Sequence, residues 1–176
     1  GTLPVSDLAP KLGDLGLLGM HLDGYGCAGA SATDYGLACM EIEAVDSGLR
    51  SLVSVQGSLA MFAIHHWGSE EQKEHYLPGM AAGSTVGCFG LTEPDAGSDP
   101  ANMRTRATRD GDDWVLTGTK MWITNRPDAD MLVVYPKTHP HAFPRGSPPS
   151  LSDNVSRGFS PAPTPRKLGH PGSHNV

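Results

Sequence analysis

One loop combines the residue types that bind ligands through the backbone. It runs Cys88-Phe89-Gly90-Leu91-Thr92-Glu93-Pro94-Asp95-Ala96-Gly97-Ser98-Asp99 and mixes turn formers with hydroxyl side chains. A loop of this kind after a strand presents free N–H groups that suit an anion or an aromatic heterocycle. The alternative is a Gly- and Pro-rich turn in which Thr92, Ser98 and Asp99 hydrogen-bond to their own backbone.

A second segment, Thr119-Lys120-Met121-Trp122-Ile123-Thr124-Asn125, supports a ligand site. Alternate residues of a strand share a face, so Trp122 and Thr124 would place a flat apolar wall beside a hydroxyl. Each segment alone is a weak signal. Together they favour a ligand site over a plain turn.

Arg50 is the candidate for binding a carboxylate. It lies in a predicted helix otherwise lined by Leu, Val and Met, and a planar guanidinium matches a carboxylate. The alternative is an ion pair with Glu41, Glu43 or Asp46, or a side chain that extends to solvent from the helix start. Without further context the sequence favours this alternative.

Other residues lack the partners that catalysis or metal binding requires. His65 and His66 point to different faces of a helix, and no acid or cysteine completes a ligand set with His75. Gly118-Thr119-Lys120 is similar to the end of a phosphate-binding loop, but the upstream glycines are absent. The three cysteines include no CxxC pair. We therefore predict no metal site and no disulfide framework.

Apolar periodicity predicts helices in the first half of the chain. They cover residues 6–18, 31–45 and 69–77, and another helix follows directly after Asp46-Ser47-Gly48 and runs through Leu52 to Ile64. Ser6, Ser31 and Ser69 are the predicted N-caps, and Leu77-Pro78 is the predicted end of the last helix.

The pattern changes to the alternation of strands after Gly83. Strands are predicted at residues 86–91, 105–109, 114–117, 121–124 and 131–135, with Asp110-Gly111 as a hairpin turn. We expect antiparallel pairing throughout. The pattern stops at Pro136, which leaves an unfinished sheet edge.

The predicted fold is α+β in three parts. Residues 1–82 form a partial helical domain, residues 83–135 an incomplete antiparallel β-barrel domain, and residues 136–176 a disordered tail. The tail holds 9 of the 15 prolines but one of the 19 acidic residues, and its few apolar residues do not offset the entropy of ordering. A shifted reading frame would give such an abrupt change, and an evolved tail is the alternative.

Composition excludes several functional classes. The net charge is −6, and the five Lys and Arg residues of the tail are too sparse for a nucleic-acid surface. No stretch is apolar enough to span a membrane, and because no basic segment is followed by an apolar stretch and a cleavage site, we expect no secretory signal in this sequence. Because the sequence opens at Gly1 rather than Met, we expect a fragment.

The two ligand segments and the helical half before them resemble the flavin-dependent acyl-CoA dehydrogenase family, from about residue 12 to residue 135. Four stretches resemble its glutaryl-CoA branch: Gly24-Tyr25-Gly26-Cys27-Ala28-Gly29, Asp46-Ser47-Gly48-Leu49-Arg50-Ser51, Gly68-Ser69-Glu70-Glu71-Gln72 and Gly87-Cys88-Phe89-Gly90-Leu91-Thr92-Glu93-Pro94. The resemblance implies an oxidoreductase that uses FAD and acts on glutaryl-CoA.

The resemblance also implies roles for individual positions. Thr92 would bond the flavin edge, Trp122 would cover the ring and the Thr124 hydroxyl would reach N5, while Arg50 would hold the distal carboxylate of the substrate. The full set of implied FAD contacts is Phe89, Gly90, Leu91, Thr92, Ser98, Trp122, Ile123 and Thr124. The implied substrate contacts are Arg50, Ser51 and Ser98.

The implied reaction is α,β-dehydrogenation of glutaryl-CoA, followed by loss of carbon dioxide to give crotonyl-CoA. The family's base is a glutamate in a C-terminal helical domain that we expect to lie outside this chain, so we predict no catalytic residue here. Glu93 is expected instead to stabilise its own loop through neighbouring backbone donors.

The resemblance further implies an acyl-CoA substrate, an electron-transfer flavoprotein as acceptor and a homotetramer. The compartment would be the cytoplasm of a bacterium or the mitochondrial matrix of a eukaryote. The alternative function is a non-catalytic remnant that docks on intact subunits through its helical faces and open sheet edge.

Overall fold

The computed structural model describes residues 4–138 and 150–153. The first half is helical and the second half contains short strands. The helices are α1 (Val5–Asp14), α2 (Ala32–Val45), α3 (Ser47–Ser54), α4 (Phe62–Trp67) and α5 (Glu70–Ala81). The strands are β1 (Gly87–Gly90), β2 (Arg106–Asp110), β3 (Asp113–Thr117), β4 (Met131–Val134) and β5 (Ser150–Asp153).

Two serines begin helices as predicted. The Ser31 and Ser69 hydroxyls accept from the third residue of α2 and of α5, and the side chains of Asp34 and Gln72 accept from the serine N–H groups in return. Helix α1 differs from its prediction: it begins after Pro4 rather than at Ser6 and ends at Asp14.

Helix α5 also differs from its prediction, because it continues through Pro78 to Ala81. A proline inside a helix costs one backbone hydrogen bond. Here Leu77, Met80 and Ala81 are all buried on this last turn, and their burial offsets that loss.

The predicted helix at residues 52–64 is part of a longer helical stretch. A π-helical segment, Val55–Met61, joins α3 directly to α4. Within it the buried Gln56 amide donates to the carbonyls of Met80 (3.0 Å) and Thr85 (2.8 Å) and accepts from the N–H of Gly87 (2.7 Å). This one side chain therefore connects the helices to the start of β1.

Antiparallel pairing is found in two of the three strand pairs. β2 and β3 form the predicted hairpin, with Gly111 in the left-handed region at φ 62°, and β4 pairs antiparallel with β5. β1 instead runs parallel to β4, from Gly87 opposite Met131 to Gly90 opposite Val134. The connection over residues 91–130 is long enough to return the chain to the starting end of the sheet, as parallel pairing requires.

The segment that was predicted as a strand at residues 121–124 has no regular structure. Trp122 lies in the left-handed region at φ 59°, as does Asn125 at φ 66°. These reversals turn the chain into a short 3₁₀ helix at Arg126–Asp128. Trp122 and Thr124 therefore do not share a strand face.

Strand β5 lies inside the range that was predicted to be a disordered tail. Its backbone pairs with β4, and Leu151 packs against the buried cluster that contains Met131 and Val133. The apolar strand β4 is buried along its whole length, so its second edge needs a hydrogen-bonding partner. The rest of the predicted tail, residues 139–149 and 154–176, lies outside the described residues.

Two buried clusters meet at β4. Leu132 and Val134 belong to a cluster with residues of α1 and α3, whereas Met131 and Val133 belong to a cluster with residues of α4 and α5. Alternate residues of a strand face opposite sides, so β4 contacts helical residues on both faces. The strand pair β1–β4 is thus fixed against the helices, and the loops that follow it start from a rigid base.

Candidate functional site

A buried ion pair joins the two segments that the sequence singles out. The Lys120 Nζ donates to Glu93 Oε1 (2.8 Å) and to the carbonyls of Leu91 (2.9 Å) and Tyr135 (2.8 Å). The two side chains are 10% and 5% exposed. An ammonium has three N–H donors, so every donor of Lys120 is satisfied.

Glu93 fixes its own loop, as predicted, but its backbone donors lie outside that loop. Its two carboxylate oxygens accept from the backbone N–H groups of Arg104 and Thr105, the second at 3.0 Å. Burial raises the pKa of Glu93, but Lys120 and the donors of Thr105 and Arg104 outweigh burial and lower this pKa to about 2. Burial likewise lowers the pKa of Lys120, and Glu93 opposes that shift.

The two segments also meet through their backbones. The N–H of Met121 donates to the carbonyl of Thr92 at 2.9 Å. Residues 91–93 and 120–122 therefore form one structural unit at the ends of β1 and β4. The sequence places Lys120 in the second segment but predicts no role for its side chain. The available signal was a single lysine in a segment of otherwise uncharged residues.

The implied FAD contacts have different environments. Phe89 lies on β1 and packs against the ring of Tyr135, with 5.0 Å between centroids. Trp122 is 53% exposed, while Ile123 is part of the buried core, so an Ile123 contact would use its backbone. Gly90 lies at the end of β1, Leu91, Thr92 and Thr124 are half-buried, and Ser98 is exposed.

The hydroxyls of this region remain available to a ligand. The Asp99 carboxylate caps the turn at Pro100–Asn102, accepting from the N–H of Ala101 and from the Asn102 amide. Within residues 4–138 and 150–153, by contrast, the Thr92, Ser98 and Thr124 hydroxyls form no hydrogen bond with another residue. The plain-turn interpretation thus holds for Asp99 only. A free hydroxyl on Thr92 and an exposed indole on Trp122, in two segments that contact each other, fit an aromatic group with polar edges.

Arg50 lies apart from this unit, near the start of α3. Its Nε donates to Glu43 Oε2 at 2.7 Å, and the two side chains are 34% and 48% exposed. The contact that the sequence offered as an alternative is therefore present. The pair lies at an open depression lined by Cys39, Met40 and Ala44. Ser51 follows on α3 and is half-buried.

The described part of the chain contains no group of three or more His, Cys, Asp and Glu side chains that would hold a metal ion. It also contains no helix that is both long and apolar enough to cross a membrane. Cys88 is buried, and burial raises the pKa of its thiol to about 12, so the thiol is uncharged.

In the described residues a helical half leads into unclosed sheets, and this arrangement matches the acyl-CoA dehydrogenase fold. The family model of the acyl-CoA dehydrogenase N-terminal domain matches residues 1–84, and that of the middle domain matches residues 88–175. The chain belongs to the acyl-CoA dehydrogenase family, a family of oxidoreductases. The match to the middle domain extends beyond residue 136, into the range predicted to be a disordered tail. The domain limits at residues 82, 83 and 135 and the disorder of the tail stay predictions.

Individual relatives are similar over nearly the whole chain. A glutaryl-CoA dehydrogenase from Mycobacterium smegmatis is 60% identical with a TM-score of 0.91, over 98% of this chain and 43% of that one. A second structure of this kind from M. smegmatis, in complex with FADH2, is 57% identical with a TM-score of 0.92, over 99% of this chain and 44% of that one. An acyl-CoA dehydrogenase from Bacillus subtilis is 36% identical over 96% of this chain and 45% of its own length. The chain thus spans less than half the length of these proteins.

Proposed function

We propose that the chain forms part of the FAD and acyl-CoA site of a glutaryl-CoA dehydrogenase. The observation that carries this proposal is the unit at residues 91–93 and 120–122, where a buried ion pair holds two loops together. Among the described residues, the exposed indole of Trp122 and the hydroxyl of Thr92 in this unit have no hydrogen-bond partner. Similarity of 57–60% to two glutaryl-CoA dehydrogenase structures supports the choice of branch.

The residues that would hold FAD provide two kinds of contact, aromatic stacking and hydrogen bonds from hydroxyl groups. Trp122 would cover the ring, Thr92 and Thr124 would donate to its polar edge, and Ser98 would lie toward the pyrophosphate and the CoA arm. When bound, FAD supplies an acceptor for the hydride that leaves the substrate's β-carbon. A hydroxyl donor at the edge that becomes negative stabilises that charge.

Arg50 would bind the distal carboxylate of glutaryl-CoA, with Ser51 beside it. Because the Arg50–Glu43 pair is partly exposed, it contributes about 1 kcal/mol or less. A substrate carboxylate that engages the guanidinium at two points would replace Glu43 at little cost. A substrate with an uncharged acyl end would leave the pair intact and gain nothing from Arg50.

The reaction we propose for the enzyme is α,β-dehydrogenation of glutaryl-CoA with loss of carbon dioxide, and we assign no residue of this chain as its base. We also propose an electron-transfer flavoprotein as acceptor, a homotetrameric assembly, and a bacterial cytoplasmic or mitochondrial matrix location. These proposals follow from the family resemblance.

Titration of FAD against the purified chain, followed by the loss of flavin fluorescence, tests the cofactor site. Thr124→Val is expected to weaken binding about tenfold, the effect of one hydrogen bond. Thr117→Val, on the exposed face of β3, is the matched control and should leave binding unchanged. No binding by the wild-type chain, or equal effects of the two variants, would contradict the proposal.

A further inference from the structure

We propose that Lys120 is a positioning residue of the flavin site, which fixes Thr92 and Trp122 relative to each other without touching the ligand. The inference rests on the proposed function, because it assigns a purpose to the unit that Lys120 holds together. Neither the sequence patterns nor the family comparisons assign a role to this side chain.

Lys120 connects three separate parts of the chain. The carbonyls of Leu91 and Tyr135 directly follow β1 and β4, whose parallel pairing brings their carboxyl ends to the same edge of the sheet. The third acceptor, Glu93, in turn binds the backbone N–H groups of Arg104 and Thr105 at the entry to β2. One ammonium thus sets the separation of the strand ends and the course of the loop after β1.

The chemistry of this position suits lysine in particular. Its three donors point in tetrahedral directions and serve acceptors on three sides, whereas the donors of an arginine lie in one plane. The aliphatic part of Lys120 also packs closely against β1: a Cβ added to Gly90 would lie 3.7 Å from Lys120 Cγ, which is van der Waals distance. Arginine keeps the charge, but it cannot reproduce the three bonds in this space.

Thr92 is held from both sides. Its neighbours Leu91 and Glu93 both bind the Lys120 ammonium, and its own carbonyl accepts from the N–H of Met121. Its backbone is therefore fixed at three consecutive residues. Within the part of the chain that the structure describes, the Thr92 hydroxyl has no partner, as a residue that presents a donor to a ligand requires.

Trp122 is held in a conformation that its own backbone disfavours. A left-handed φ of 59° is uncommon for a bulky residue and persists only where the surroundings impose it. The buried Lys120 precedes Trp122 by two residues, and the buried Ile123 follows it directly. These two anchors impose the turn that leaves the indole exposed.

Amide hydrogen exchange of the full chain, read by mass spectrometry, tests the inference. In Lys120→Arg, which retains the charge, the Met121 and Tyr135 amides are expected to exchange about tenfold faster, the effect of one lost hydrogen bond. The amides of the β2–β3 hairpin should keep their rates. Lys73→Arg, at a lysine of an ion pair on α5, is the matched control and should change neither set.

Flavin titration of the same variants links the exchange result to the ligand. Affinity per folded molecule should fall about tenfold in Lys120→Arg and stay constant in Lys73→Arg. Lys120→Met removes the charge as well as the three bonds and is the stronger perturbation. We expect a smaller folded fraction for this variant. Urea unfolding measures that fraction, so that the affinity can be expressed per folded molecule. Uniformly faster exchange over the whole chain, or unchanged affinity of the folded Lys120→Arg protein, would overturn the positioning role.

Failure of the proposed function has a different signature. It would appear as no FAD binding by the wild-type chain. The exchange measurement contains no flavin, so it still decides whether Lys120 holds residues 91–93 and 121–122 together.

Discussion

The low pKa of Glu93 makes a quantitative prediction about stability. The carboxyl group has a pKa of about 2 in the folded chain, against about 4.3 when unfolded. At 1.36 kcal/mol per pKa unit, ionisation of Glu93 stabilises the fold at pH 7 by about 3 kcal/mol. Glu93→Gln keeps the shape of the side chain and removes the charge, so it should lower the free energy of unfolding by about this amount.

The pH dependence distinguishes this reasoning from a simple packing defect. Because the pKa of Glu93 is lower in the folded chain than in the unfolded chain, its stabilising effect is fully present above about pH 4.3. This effect is lost as the pH falls from about 4.3 toward 2. Protonation of Glu93 also leaves the buried Lys120 charge without its partner. Urea unfolding at pH 7, 5, 4 and 3 should therefore show the difference between wild type and Glu93→Gln shrinking below pH 4.3.

Asp95→Asn is the control for this experiment. Asp95 forms an ion pair with Arg104 in which both side chains are exposed, and such pairs contribute at most about 1 kcal/mol. This variant should resemble wild type at every pH. A Glu93→Gln difference that stays constant from pH 7 to pH 3 would refute the electrostatic account.

Three other substitutions test separate parts of the structure. Gln56→Leu removes the partner of the Gly87 N–H and of the Thr85 carbonyl, whereas the Met80 carbonyl keeps its bond from the Gly83 N–H. The substitution should cost about 3 kcal/mol in urea unfolding, and a loss below about 1 kcal/mol would contradict its connecting role. Gly118→Ala places a Cβ 2.3 Å from Thr105 Oγ1 and should lower the thermal midpoint, whereas Gly97→Ala, with open space around it, should not. Arg50→Ala in the flavin-loaded protein should weaken glutaryl-CoA binding, measured by calorimetry, about tenfold more than butyryl-CoA binding, and equal losses would exclude the carboxylate role.

Features set by neighbouring residues could be predicted from the sequence. The serine caps at Ser31 and Ser69 and the Asp110-Gly111 turn each depend on residues within one turn of the chain. The continuation of α5 through Pro78 could not, because it depends on the burial of Leu77, Met80 and Ala81, which the local pattern does not identify. The structure also confirms the order of helices followed by strands. This order could be predicted because apolar periodicity, like a helix cap, is a property of residues close together in the sequence.

Pairing between distant strands could not be predicted. The parallel pair β1–β4 and the strand β5 depend on contacts across long connections, and nothing in a short window indicates them. The same limit applies to the candidate site. The loop with Thr92 and the segment with Trp122 were identified by composition, but the bond between them depends on Lys120, whose acceptors come from three segments.

Both ends of β1 are held by polar side chains rather than by apolar packing alone. At its start, the Asp130 carboxylate accepts from the N–H of Val86, and the side-chain amide oxygen of Gln56 accepts from the N–H of Gly87, both at 2.7 Å. At its end, Lys120 donates to the carbonyl of Leu91. Apolar contacts tolerate a small slide along a strand, whereas directional bonds at both ends do not. β1 is only four residues long and is followed by the proposed ligand-binding loop, so this restraint fixes where the loop begins. The restraint has an energetic cost, because the polar side chains and backbone groups at both ends of β1 lose their contact with water.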